Sequence, residues 1–269
     1  MLVFYPPTSG RHMTIINHVV TATNDAYAEP LAVTLTSVLI NAEKPENIKI
    51  YTIDGNISDD NKTKLENIVS DFGSTLHFLT VDKSRYQHFA KGPYIPVDAY
   101  YRIDIPALLG PDVDTALYLD CDLIVKTDIA RFFQTDITAY SLAAVESTFA
   151  DCRKQELSIP DTHSYFNSGV LLLNLRKWRE HNLSRLVLNW IDDNPEKLRF
   201  MDQDALNACL YDDWLKLDPS WNYTTGHWEN QTPLQSRPNI IHFTGSSKPW
   251  NASHPLEDEY HFYRKKTNW

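Results

Sequence analysis

The stretch Ala116-Leu-Tyr-Leu-Asp-Cys-Asp-Leu-Ile-Val125 decides how this chain is to be read. The apolar run Ala116 to Leu119 leads into Asp120 and Asp122, and Leu123 to Val125 follow. Apolar flanks of this kind read as a buried strand. Successive strand side chains point to opposite faces, so Asp120 and Asp122 share one face and Cys121 takes the other. Two carboxylates side by side at a strand end are costly unless something positive sits between them. A divalent cation is the simplest answer, and oxygen ligands suit Mg²⁺ or Mn²⁺. Two solvated acids in a turn are the competing reading of so short a motif. Cys121 admits a thiolate ligand, but alternation favours a small buried hydrophobe.

Outward from this stretch, strands and helices alternate. Ile15 to Thr23 reads as a strand ending in the polar turn Thr23-Asn24-Asp25. Pro30 opens a helix with Leu31, Leu35, Val38, Leu39 and Ala42 on one face. Ile48 to Ile53 alternates as a strand, Ser58 caps a helix bearing Leu65, Ile68, Val69 and Phe72, and Leu76 to Val81 is a further strand. This order predicts an α/β fold, a mainly parallel sheet flanked by helices. In such sheets ligands bind at the carboxyl ends of strands, where both Thr23-Asn24-Asp25 and Asp120-Cys121-Asp122 fall. The second half is less regular. Val170 to Leu173 reads as a short buried strand, Leu183 to Ile191 as an amphipathic helix, and Asp202-Gln203-Asp204 opens another helix. Asn239 to Phe243 is a last short strand.

At 269 residues the chain is one large domain or two small ones. No repeat or linker marks a boundary, which favours one domain with a smaller, less regular C-terminal part. Met1 to His12 lacks periodicity, and Ser9-Gly10-Arg11-His12-Met13 resembles a cloning remnant. Residues 1–12 are therefore expected to be an appended segment and 13–269 a single domain. These first residues also lack the pattern of a signal peptide. No apolar run approaches the roughly 20 residues of a membrane span. A formal charge of −10 argues against sequence-independent nucleic-acid binding. Cys121, Cys152 and Cys209 form no Cys-x-x-Cys pair and are expected to be free thiols in a reducing compartment.

The phrase Ile241-His-Phe-Thr-Gly-Ser-Ser-Lys-Pro-Trp250 is the second strong signal. His242 ends a strand, Gly245 permits close backbone approach, and Lys248 offers a compact cation suited to a phosphate. Two carboxylates, an imidazole and an ammonium are what a metal–diphosphate needs. The imidazole tilts the metal toward Mn²⁺.

With these residues in view, the chain resembles glycosyltransferase family 8, the retaining group that includes glycogenin and the bacterial lipooligosaccharide galactosyltransferases. The resemblance rests on an ordered set of phrases: Thr21-Ala-Thr-Asn-Asp-Ala-Tyr27, Tyr100-Tyr-Arg-Ile103, Leu117-Tyr-Leu-Asp-Cys-Asp122, Tyr165-Phe-Asn-Ser-Gly-Val170 with Asp202-Gln-Asp204, and His242 to Trp250. It implies a Rossmann-like fold of the GT-A type. It also implies residue roles. Ala22, Thr23 and Asn24 would face uracil and ribose, with Tyr27 stacking nearby. Arg102 would reach the donor sugar or its diphosphate. Asp120, Asp122 and His242 would hold Mn²⁺, with Cys121 in the same nucleotide-binding turn. Asn167, Asp202 and Gln203 would face the donor sugar, Glu146 would lie near the acceptor, and Gly245 and Lys248 would clamp the diphosphate. Trp250 would pack the loop.

The implied reaction moves a hexose, galactose or glucose, from a UDP-sugar to a hydroxyl of a glycan, lipid-linked or protein-linked saccharide. Mn²⁺ is the implied cofactor, with Mg²⁺ as the alternative. The catalytic set would be Gln203, Asp202, Arg102, Asn167 and Lys248. Gln203 is an amide and a poor nucleophile, so front-side attack is favoured over double displacement. Cytoplasmic location is implied, with at most peripheral membrane contact through Tyr263-Arg-Lys-Lys266. Two rivals remain at this point. One is a sugar-nucleotide-binding or carbohydrate-binding protein without catalysis. The other is a haloacid-dehalogenase-like phosphatase, whose Asp-x-Asp usually lies near the chain start.

Overall fold

A seven-stranded sheet runs in the order β3-β2-β1-β4-β7-β6-β8. Its strands are β1 (Asn17–Thr23), β2 (Ile48–Asp54), β3 (Thr75–Leu79), β4 (Thr115–Leu119), β6 (Leu142–Ala144), β7 (Val170–Asn174) and β8 (Trp214–Lys216). A second, three-stranded sheet has the order β5-β10-β9, from β5 (Leu123–Val125), β9 (Tyr223–Thr224) and β10 (Ile240–His242). This computed structural model describes residues 15–90, 92, 96–149, 153–234, 237–267 and 269. Residues 1–12 and Cys152 lie outside the described residues.

The large sheet is mainly parallel. β3, β2, β1 and β4 run the same way, β7 is antiparallel to both β4 and β6, and β8 is parallel to β6. Period-two alternation assigns its side chains to two apolar layers. Along β4, Ala116 and Tyr118 join one layer while Leu117 and Leu119 join the other. Val20 and Val19 divide in the same way along β1. Both faces are covered, which is why these strands read as continuous apolar runs.

The expected elements form, with two differences. First, the strand expected across Ala116 to Val125 is two strands in two sheets. β4 ends at Leu119, β5 starts at Leu123, and Asp120-Cys121-Asp122 is the turn between them. The Asp120 N–H closes on Gly169 O at 2.8 Å, after which the chain leaves the large sheet. The two carboxylates thus converge through a turn, not through strand alternation. Second, the helix Ala28–Ile40 is buried from Ala28 to Leu39 save Glu29, rather than amphipathic. Its polar residues Thr34, Ser37 and Asn41 lie against β5 and hold its backbone. The segment around Tyr100 to Ile103, for which the spacing predicted no element, is a 3₁₀ stretch, Val97–Asp104, with Asp98, Arg102 and Asp104 buried. Ser58 caps the helix Asp59–Ser70 as expected.

Helix Glu257–Arg264 docks beside the helix Ala28–Ile40. Tyr263 is buried, and its hydroxyl accepts from Asn41 Nδ2 at 2.8 Å, so this part of the expected membrane-touching tail faces inward. Among the described residues, no helix is long and apolar enough to cross a membrane. Cys121 and Cys209 are free.

Candidate functional site

Strand register gathers the site. β1 and β4 are parallel neighbours pairing Val19 with Leu117 and Val20 with Tyr118, so Thr23-Asn24 and Asp120 emerge at one sheet edge. β7 is antiparallel to β4, so its entry segment Asn167-Ser168-Gly169 reaches the same edge. β10 is antiparallel to β5 with His242 opposite Leu123, which sets the imidazole beside Asp122. A cavity of about 440 Å³ opens here. Ala22, Thr23, Asn24, Tyr27, Arg102, Asp120, Cys121, Asp122, Asn167, Asp202, Gln203, His242, Gly245 and Lys248 all line it. Glu146 does not, and its carboxylate pairs with Lys216. On that side Ser147, Thr148 and Phe149 face the cavity instead.

Asp120, Asp122 and His242 each present a ligand atom within 4.8 Å of the others. His242 Nε2 lies 3.2 Å from Asp122 Oδ1 and 3.6 Å from Asp120 Oδ2. Donor atoms about 2.1 Å from one shared ion would stand about 3 Å apart, so the spacing fits a divalent cation. The O,O,N set suits Mn²⁺ by its chemistry. Gly169 is required by this packing. A Cβ there would meet His242 Cε1 at 2.2 Å and Asp120 Oδ2 at 2.6 Å.

Two cations flank the carboxylates. Lys248 is buried, and its Nζ donates to Asp122 Oδ2 and to Phe243 O. The preceding Gly245 has φ +86°, a conformation that favours glycine. Burial would raise the Asp122 carboxyl, but Lys248 and His242 outweigh it and hold it well below the usual carboxylate range. Burial would lower Lys248, and Asp122 outweighs that and raises it. Arg102 is buried as well. Its Nη2 lies 3.0 Å from Asp120 Oδ1 and its Nε 3.0 Å from Asp202 Oδ2, while its plane stacks 4.3 Å from the Tyr118 ring centroid. Its guanidinium therefore holds two carboxylates at the edge of the cavity that Arg102 itself lines. Asp202 is pushed up to about 6 by burial, against the pull of Arg102. It follows Met201, whose φ of 49° is strained for a residue with a side chain.

Burial, followed by Asp122 and Asp120, raises the Cys121 thiol, which keeps it protonated and supports the apolar reading. Asn24 Oδ1 caps Ala26 N at 3.1 Å and its Nδ2 donates to Asp98 Oδ2 at 2.6 Å. Tyr27 stands edge-on to Trp250 at 5.8 Å, and Trp250 packs against Tyr260 at 5.3 Å and lines no part of the cavity. Sequence reasoning missed Asp98, Tyr118 and Asn222. Asp98 is buried beside Asn24 and lines the cavity, and burial raises its carboxyl. Its one signal was proximity to Tyr100-Tyr-Arg-Ile103.

The family model described as glycosyl transferase family 8 matches residues 18–254. The chain belongs to this family. A relative from Bacillus subtilis, general stress protein A, is 38% identical across 94% of this chain and 95% of its own length. Glycosyltransferase GlyF of Streptococcus pneumoniae serotype 4 is 30% identical over 87% of this chain and 57% of its own. Galactosyltransferase LgtC, solved with donor and acceptor sugar analogs, superposes with a TM-score of 0.85 at 23% identity, covering 94% of this chain and 96% of that one. That likeness establishes the GT-A fold. Family 8 membership makes the chain a glycosyltransferase and sets aside the dehalogenase-like alternative.

Proposed function

We propose that this family 8 glycosyltransferase is a Mn²⁺-dependent, retaining hexosyltransferase acting from a UDP-sugar to a saccharide hydroxyl. The convergence of Asp120, Asp122 and His242 in the lining of the cavity carries the reading. These three residues would hold the ion, and when bound it would offset charge that develops on the departing diphosphate. Asn24, Asp98 and Tyr27 form the wall suited to a nucleoside. Lys248 supplies a second positive charge for the leaving group once it moves from Asp122 toward a phosphate. Arg102 fixes Asp120 and Asp202 in orientation, and Asn167, Asp202 and Gln203, which line the cavity, would face the donor sugar. Galactose is the hexose named for LgtC and heads the list of donors to try.

Front-side attack has a structural argument in its favour. Gln203 Oε1 already accepts from Asn167 Nδ2 and from Ser168 N, both at 3.0 Å. A carbonyl oxygen has two lone pairs, so none is left for covalent attack in this arrangement. The test is a UDP-sugar panel with Mn²⁺, reading released UDP and the anomeric configuration of the product by NMR. EDTA and Asp122→Asn should each abolish release, and an α-linked donor should give an α-linked product. Full activity in metal-free buffer, or a β-linked product, would refute the proposal.

A further inference from the structure

Asn222 is fully buried at the end of the 3₁₀ turn Pro219–Asn222, outside the cavity. Its Oδ1 lies 2.9 Å from His242 Nδ1, and its Nδ2 donates to Asn167 Oδ1 at 2.8 Å. Asn167 Nδ2 donates to Gln203 Oε1 at 3.0 Å, and Gln203 Nε2 to the Tyr165 hydroxyl at 3.0 Å. Tyr165 OH donates to Asp204 Oδ1 at 2.8 Å. Three amides thus stand in line between the imidazole and a buried carboxylate.

Groups that cannot turn round set the polarity of this line. Asp204 accepts from Arg153 Nε at 3.0 Å and from the backbone N–H groups of Arg199 and Phe200 at 2.7 and 2.6 Å. It is thus an acceptor, and Tyr165 must donate to it. The Ser168 N–H points at Gln203 Oε1 at 3.0 Å and the Gly169 N–H at Asn167 Oδ1 at 3.0 Å. A backbone N–H is only ever a donor, so both amide oxygens are identified without choosing a flip. Asn167 Oδ1 then requires the NH₂ of Asn222, which leaves Asn222 Oδ1 for the imidazole. An oxygen acceptor there requires a proton on His242 Nδ1. The atom left to face Asp120 and Asp122 is Nε2.

We infer that Asn222 is a positioning residue, which keeps the His242 Nδ1 proton in place and aims Nε2 at the ion, and that the amide line ties this aim to the donor-sugar residues Asn167 and Gln203. The inference rests on the metal site proposed above. A partner on the second ring nitrogen orients a metal-bound histidine and raises its basicity, and losing one typically costs 10–100-fold in metal affinity.

Titration of Mn²⁺ alone into nucleotide-free enzyme, by calorimetry and by EPR, tests it. Asn222→Ala should bind Mn²⁺ about 10–100-fold more weakly than wild type. Asn222→Asp keeps an acceptor for the Nδ1 proton and should bind as tightly as wild type or tighter, although its link to Asn167 is lost. In ¹⁵N-histidine-labelled enzyme with diamagnetic Mg²⁺, long-range ¹H–¹⁵N correlations should place a proton on His242 Nδ1, with the assignment made from His242→Gln. Wild-type affinity in Asn222→Ala, equal weakening in Asn222→Asp, or an unprotonated Nδ1 would overturn the role of Asn222. Should Asn222→Ala fail to fold, the Asp variant and the Nδ1 signal still decide. Asp122→Asn separates the two readings. If it binds Mn²⁺ like wild type, the metal site itself is wrong, whereas its loss of binding beside an unaffected Asn222→Ala rejects the amide line alone.

Discussion

A single added methyl group at residue 169 would collide with the two groups that matter most. The clash with His242 Cε1 at 2.2 Å and Asp120 Oδ2 at 2.6 Å cannot be relieved without moving a side chain of the proposed metal site. Gly169→Ala should therefore lower kcat/KM for Mn²⁺-dependent UDP release by about a hundredfold, the scale expected when reacting groups shift by about 1 Å. An unchanged kcat/KM would remove His242 or Asp120 from the reaction. Asp202 makes a prediction in pH. Burial pushes its carboxyl up to about 6 in the folded state, against an ordinary value of 3.8. Between those values the folded state holds more protons than the unfolded one, so this group's contribution to stability falls as pH rises. The slope from one group is at most about 1.4 kcal/mol per pH unit. Asp202→Asn removes this dependence, so wild type should lose stability relative to the variant from about pH 4 to about pH 7, read by urea unfolding at each pH. A flat difference would show that Arg102 keeps Asp202 ionised throughout.

At the scale of elements, β5 pairs with β10 on one side, and the helix Ala28–Ile40 covers the other. The side chains of that helix and its cap take the place of a neighbouring strand. Thr34 Oγ1 donates to Leu123 O at 2.8 Å and lies 3.0 Å from Cys121 O, Ser37 Oγ accepts from Val125 N at 2.9 Å, and Asn41 Nδ2 donates to Val125 O at 2.9 Å. These bonds steady the turn that carries Asp120 and Asp122. Thr34→Val keeps the shape but leaves buried backbone groups unpaired, at a cost of about 1–3 kcal/mol. Thermal unfolding should shift down by roughly 2–4 °C for each kcal/mol lost, and Mn²⁺ affinity should fall with it. A Tm equal to wild type would mean that another group satisfies the turn. The apolar spacing of this helix was legible in the sequence. The use of its polar residues was not, because their partners lie more than eighty positions away in the chain.

Across the whole molecule, the C-terminal helix Glu257–Arg264 completes the apolar layer under the smaller sheet. Tyr260 and Tyr263 pack with Val33, Ile124, Ile241 and Phe243, directly beneath the strand that ends in His242. Tyr260→Ala should cost about 3–5 kcal/mol, as large-to-small changes at buried aromatic sites do. Arg264 pairs with Glu29 at 2.6 Å where both side chains are partly exposed, so Arg264→Ala should cost under about 1 kcal/mol. Urea midpoints of the two variants test the contrast, and equal midpoints would show that the tail does not support the smaller sheet.

The sequence by itself determined the α/β alternation, the strand ends and the residue types that meet at them. These are local properties: period-two and helical spacing, caps, and an Asp-x-Asp between apolar runs. Family membership was also legible, since it rests on phrases in a fixed order. Only the tertiary structure decided that Asp120 and Asp122 converge through a turn between two sheets, that Arg102 clamps Asp120 and Asp202, and that Lys248 rests on Asp122. It alone revealed Asp98 against Asn24 and Asn222 against His242. The reason is that a hydrogen-bond partner is chosen by the register of distant strands. Twenty residues separate Asn222 from His242, and seventy-four separate Asn24 from Asp98, and no periodicity in the chain encodes either contact.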